Sequence, residues 1–133
     1  CYALLRRQSL LARSLPAEEG ALLEADFDAG VARAQQPGGL LHHLFGVRAM
    51  GLFGQRSDAS LESYLSGLVI GEELRAQSAH QPVAGGAPVV LIGTPALTAR
   101  YRRALASLCV DAVTVGAEAS WRGLLALAAT IDA

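Results

Sequence analysis

Two glycines one helical turn apart, Gly67 and Gly71, interrupt the otherwise strongly helical segment YLSGLVIGEEL, Tyr64 to Leu74. In a helix interior each costs about 1 kcal/mol relative to alanine. Their spacing puts Tyr64, Gly67, Gly71 and Leu74 on one face. The missing side chains there admit either the backbone of a neighbouring helix or the flat surface of a bound nucleotide. A second candidate is Gly93-Thr94-Pro95, which follows the apolar run Val89-Val90-Leu91-Ile92. Ligands in open α/β sheets bind beyond the carboxyl ends of strands. Helix N-termini attract anions through free N–H groups. Every βα unit has such a turn, so a plain structural turn and a nucleotide wall both stay open. A third candidate is Arg48, which falls on an apolar helical stripe. It is read as an ion-pair partner of Glu72 or Glu73, as a snorkelling side chain, or as a clamp for a substrate carboxylate.

Other chemistry is poorly provided for. His42 and His43 are adjacent, so on a helix they point about 100° apart and do not converge on a metal. They read as surface or helix-packing histidines. Glu18-Glu19 and Glu72-Glu73 read as solvated charges. The chain carries no nucleophile elbow, P-loop or zinc signature, and we expect no catalytic residue and no metal ligand within it.

The elements that must position these residues fall into two stretches. Helices are predicted over Tyr2–Ala12, Ala21–Gln35, Leu40–Phe53 and Ala59–Ala79. Pro16 and Gln36-Pro37-Gly38-Gly39 punctuate them. In the third helix the stripe is Leu41, Phe45, Arg48 and Leu52. Ser57 or Asp58 is placed to cap the fourth, with Glu62 in its first turn. A polar, glycine-rich loop is predicted from Ser78 to Ala87. The character then changes. Val89–Ile92 reads as a buried strand, and Pro95 as the first helical residue behind a Thr94 cap. The next helix carries Leu97, Tyr101, Leu105 and Leu108. Ala112–Val115 reads as a second strand and Ser120–Ile131 as a final helix. A helical layer followed by β-α-β-α implies parallel strands joined by a crossover helix. Two strands make a poor sheet alone, so partner strands are expected from elsewhere.

The 133 residues suit one domain, and 52% are hydrophobic, enough for a real core. All 11 basic residues are arginine, so no lysine here holds a phosphate or forms a Schiff base. Net charge is −1 and aromatic residues make up 5%, which gives no footprint for nucleic acid. Cys1 and Cys109 are too few for a disulfide framework and read as reduced thiols of a cytoplasmic protein. No apolar run reaches the length of a membrane span. The chain begins at Cys1 rather than Met, directly at what reads as a helix, so the start reads as a cut end.

Four separated blocks are more specific together than any one alone. They are ALLRRQSLLARSLP near the start, HHLFGVRAMGLFG (His42 to Gly54), YLSGLVIGEEL, and VVLIGTPALTARYRRAL (Val89 to Leu105). With GLLAL near Gly123, this order resembles the 2-dehydro-3-deoxygalactonokinase family over essentially the whole chain. The resemblance implies a helix-rich α/β chain with a small, partly parallel sheet. That chain would be the C-terminal domain, residues 1–133, of a two-domain sugar-acid kinase with a ribonuclease H-like, actin-like ATPase fold. The N-terminal domain would be absent. It implies transfer of phosphate from ATP to the terminal hydroxyl of 2-dehydro-3-deoxy-D-galactonate in galactonate breakdown. Mg2+ would be held mainly through the absent domain. It assigns Gly93, Thr94 and Pro95 to the nucleotide, puts Gly67 and Gly71 facing the same cleft or a neighbouring strand, and makes Arg48 a candidate for the sugar-acid carboxylate. Many relatives in the wider superfamily have two glycines where this chain has Gly93-Thr94. The expected partners are ATP, a small sugar acid, the absent domain and a second copy as a homodimer, with no nucleic acid and no membrane. The alternative is a non-catalytic nucleotide- or sugar-binding module on the same fold.

Overall fold

A computed structural model describes residues 1–80 and 88–131. These fall into two compact units, the first holding residues 1–80 and the second residues 88–131. The predicted loop over Ser78–Ala87 is helical as far as His80, and residues 81–87 lie outside the described residues.

The first unit is built on helices α1 (Tyr2–Gln8), α2 (Glu24–Ala34), α3 (Gly39–Leu52) and α4 (Asp58–His80). The first predicted helix is split. Ser9 is extended, and its hydroxyl accepts from Leu11 N at 3.0 Å to start a short 3-10 helix, Leu10–Ser14. A serine that can bond its own backbone competes with the helix there. Helix α4 is the axis of the unit and is buried from Ser60 through Leu68. Leu61, Leu65 and Leu68 are fully buried with Phe27, Val31 and Val47. Each such side chain contributes about 1.5–3 kcal/mol by leaving water.

Helix α2 lies unusually close to α4, and glycines make that possible. A Cβ on Gly67 would overlap the carbonyl of Phe27, and one on Gly30 would overlap the carbonyl of Tyr64. A Cβ on Gly71 would come within 2.7 Å of Ala34 Cβ and 3.0 Å of Val31 Cα. The two backbones therefore touch on both sides.

Polar ties hold the chain around α4. Glu62, expected as a first-turn charge, is instead buried and paired with buried Arg6. The Arg6 fork also donates to Pro16 O at 3.1 Å, and Gly20 N donates to the second Glu62 oxygen at 3.1 Å. The hydrogen bond with Glu62 raises the Arg6 pKa against the opposing effect of burial. The capping expectation is met by Ser57, whose hydroxyl accepts from Ser60 N at 3.3 Å.

The predicted stripe on α3 faces the wrong way. Leu41, Phe45 and Leu52 are 84%, 74% and 66% exposed, while His43 and Val47 are buried. Gly51 lets α3 approach, since a Cβ there would lie 2.7 Å from Ser14 Cβ and 3.2 Å from Leu61 Cδ1. The inward face carries its own apolar set, with Val47 in the core and Leu40, Leu44 and Met50 packed against it.

The second unit is β1 (Val89–Ile92), α5 (Pro95–Ser107), β2 (Ala112–Val115) and α6 (Glu118–Ile131). The strands are parallel, paired from Val89 with Ala112 to Ile92 with Val115. Helix α5 is the crossover, with Ala104 and Leu105 buried. Its end is a six-residue wrap: Val110 N donates to Leu105 O at 3.0 Å and Cys109 N to Ala106 O at 3.1 Å. Cys109 sits in the left-handed region at φ 57°, where glycine is usual. Two expectations need correction. Thr94 precedes α5 but makes no side-chain cap, while Pro95 does stand in the first turn. Strand β1 is half-buried and alternating rather than fully buried, because Val90, Ile92, Val113 and Val115 form an open face of the sheet.

Candidate functional site

Both strands of the second unit end side by side, and each is followed at once by a glycine. Ile92 leads to Gly93 and Val115 to Gly116. Each turn then starts a helix, α5 at Pro95 and α6 at Glu118. Parallel strands bring their carboxyl ends to one edge, so both turns and both helix starts gather there. A cavity of about 490 Å³ occupies this edge. Gly93, Thr94 and Pro95 line it from the first turn and Thr98 and Arg102 from α5; Thr114, Gly116 and Glu118 line it from the end of β2 and the second turn. That volume falls within the range of small-molecule sites.

The chemistry of the lining is uneven. Thr98 is buried, and its hydroxyl is spent on its own helix, donating to Thr94 O at 3.1 Å and Pro95 O at 3.2 Å. The Thr94 hydroxyl caps nothing and has no hydrogen bond to a described residue. Pro95 brings no N–H of its own, so the first N–H groups of α5 come from Ala96 and Leu97. Gly93 is not demanded by packing: a Cβ there would rest 3.6 Å from Thr98 Cγ2, an ordinary contact. The wall of the cleft is therefore backbone, small side chains and the hydroxyls of Thr94 and Thr114, neither bonded to a described residue, with Arg102 and Glu118 as its charged groups. A smaller cavity of about 360 Å³, lined by Arg102, Ala106 and Cys109 to Ala112, lies at the amino end of β2.

Of the residues singled out from sequence, the structure brings Gly93, Thr94 and Pro95 together at this cleft. Gly67 and Gly71 belong to the first unit, and the space beside each is filled by α2. The helix-packing alternative accounts for both. Arg48 is half-buried on α3, and one nitrogen donates to Leu10 O at 3.0 Å. It makes no ion pair to a described residue. Glu72, one of its expected partners, pairs instead with Arg75 at 2.7 Å. His43 packs inside the helical unit: Arg33 Nε donates to its Nδ1 at 3.1 Å, and its Nε2 lies 3.2 Å from Gln36 O. Among the described residues no cluster of three His, Cys, Asp or Glu side chains is placed to hold a metal.

The residues missed from sequence are Arg102, Thr114, Gly116 and Glu118. A signal existed, since VVLIG and AVTVG each close a strand with glycine. With the last helix taken to begin at Ser120, the Gly116-Ala117-Glu118 turn lost its position at the head of a helix.

Comparisons with known proteins agree over nearly the whole chain. A family model described as 2-keto-3-deoxy-galactonokinase matches residues 1–127. A 2-dehydro-3-deoxygalactonokinase from Escherichia coli (strain K12) is 32% identical over 125 residues, covering 91% of this chain and 40% of that protein. A crystal structure of a "putative 2-dehydro-3-deoxygalactonokinase protein" from Sinorhizobium meliloti aligns with a TM-score of 0.79 and 30% identity. It covers 98% of this chain and 44% of that one. The chain thus spans about two-fifths of the length of these relatives.

Proposed function

The chain belongs to the 2-keto-3-deoxy-galactonokinase family, and from that premise we propose that it is the C-terminal part of a sugar-acid kinase. The whole protein transfers the terminal phosphate of ATP to the end hydroxyl of 2-dehydro-3-deoxy-D-galactonate. The observation that carries this reading is the cleft at the carboxyl ends of β1 and β2. Its fit to a nucleoside rests on volume, on the backbone wall at Gly93 and on the free Thr94 hydroxyl. A ribonuclease H-like, actin-like fold is part of the same reading, supported by the parallel β-α-β-α order.

In this scheme the chain binds and orients, and the absent part of the protein does the rest. In-line phosphoryl transfer needs positioning and charge stabilisation more than covalent chemistry. Gly93 and Thr94 hold the nucleoside end. ATP supplies the phosphoryl group and Mg2+ neutralises its charge. The carboxylate that takes the substrate proton and the metal-holding groups lie outside these residues. Arg48 keeps guanidinium nitrogens free beyond its bond to Leu10 and is proposed to meet the sugar-acid carboxylate. The exposed free thiols of Cys1 and Cys109 favour a reducing compartment, the cytoplasm.

The test is an ADP-release assay on the complete polypeptide. ADP should form with 2-dehydro-3-deoxy-D-galactonate, and the 133-residue chain alone should be inactive. Turnover by the chain alone would refute the division of labour. No ADP from the complete polypeptide would refute the kinase. Arg48→Ala should raise the KM for the sugar acid and leave that for ATP alone; a change confined to the melting temperature would make Arg48 structural.

A further inference from the structure

Gly116 closes β2 without a positive φ, so its backbone conformation does not call for glycine. The space beside it is taken by the flexible end of the exposed Glu118 side chain, which an added Cβ would displace. The Glu118 side chain therefore folds back across the end of β2, and both residues line the cleft. Its carboxylate has no hydrogen bond and no ion pair to a described residue. Arg102 lines the same cleft and does not pair with it. The cleft is thus bordered by an exposed carboxylate whose acceptor oxygens are uncommitted among the described residues.

We propose that Glu118 is the residue that selects the nucleoside, its carboxylate accepting hydrogen bonds from donor groups of the bound nucleotide. This rests on the nucleotide reading of the cleft and goes beyond it by naming the discriminating group. An ionised carboxylate is acceptor-only. It repels a phosphate and attracts N–H and O–H groups, so it sets the direction of the ligand. The nucleoside lies toward Glu118 and the phosphates run away from it. Two parts of a nucleotide present such donors, the ribose hydroxyls and the exocyclic amine of the base. A carboxylate that accepts from a ligand donor favours ligands that carry that donor over analogues that lack it, and because Glu118 is exposed to water the preference is modest. The first-turn position of Glu118 on α6 also favours that helix electrostatically, and this is the structural role from which selection must be told apart.

The experiment measures kcat/KM of the complete polypeptide for ATP, 2′-deoxyATP, 3′-deoxyATP and inosine triphosphate. It compares the unaltered protein with Glu118→Gln and Gly116→Ala, the second of which displaces the carboxylate. The unaltered protein should prefer ATP by about tenfold over at least one analogue. Both variants should flatten that preference and leave the KM for the sugar acid unchanged. Loss against the deoxy analogues assigns the hydroxyls; loss against inosine triphosphate assigns the amine. Should Glu118→Gln fail to fold, Glu118→Asp withdraws the carboxylate by one methylene and gives the same readout. A lowered melting temperature with the preference intact overturns the proposal and leaves Glu118 a helix-end charge. Use of ATP without discrimination by the unaltered protein also overturns it, while the nucleotide cleft stands. Failure to bind or use any nucleotide overturns both.

Discussion

Gly67 and Gly93 both offer a neighbour a close approach, yet they meet opposite surroundings. A Cβ added to Gly67 would strike the carbonyl of Phe27, whereas one added to Gly93 would sit 3.6 Å from Thr98 Cγ2 in ordinary contact. In the helical unit the absent side chain is replaced by protein, because α2 fills it. In the sheet unit it borders a cavity. The same residue type thus serves packing in one place and borders open space in the other. What separates them is whether two elements are already pressed together there. The polar groups divide in the same way. Arg6 and Glu62 are buried and committed to each other, while Arg102 and Glu118 face one cleft without pairing.

The contrast is most exposed to failure at Arg6. Arg6→Ala leaves the buried Glu62 carboxylate without its partner, and unfolding of the protein in urea should show a loss of about 3–5 kcal/mol. A loss near zero would mean the pair is solvated and the helical unit loosely built. Next comes Gly67→Ala, where α2 must move away from α4. Overpacking of this kind should cost about 1–3 kcal/mol in the same measurement, with the KM for ATP unchanged. A selective effect on ATP would return Gly67 to the nucleotide. In the sheet unit, Cys109→Gly relieves a left-handed residue at the end of α5 and should raise stability by about 1 kcal/mol. Gly93→Ala should have the smallest effect on stability, within about 0.5 kcal/mol. It should nevertheless raise the KM for ATP with kcat little changed, the mark of lost ground-state binding.

Much of the architecture was legible because local signals were strong. Val89–Ile92 and Ala112–Val115 are strands with the bounds read from their β-branched runs. The glycine-rich break at Gln36 to Gly39 does separate two helices. Facing was harder to read. On α3 Leu41, Phe45 and Leu52 lie outside, because a second apolar set, Leu40, Leu44, Val47 and Met50, faces the core, where Gly51 also allows close contact. Glu62 could not be recognised as buried, since its partner Arg6 is distant in sequence and charge alone reads as solvated. At the cleft, Gly93-Thr94-Pro95 stood out through a proline at a helix start. Glu118 did not, because only the pairing of Ile92 with Val115 brings the second turn beside the first.

The most direct test of the central claim is hydrogen exchange of the complete polypeptide with and without ATP. If the nucleotide binds as proposed at the carboxyl ends of β1 and β2, amides over residues 93–98 and 114–119 should slow on binding, while those of α4 around Gly67 and Gly71 stay unchanged. Protection centred on α4, or none within residues 88–131, would contradict that placement.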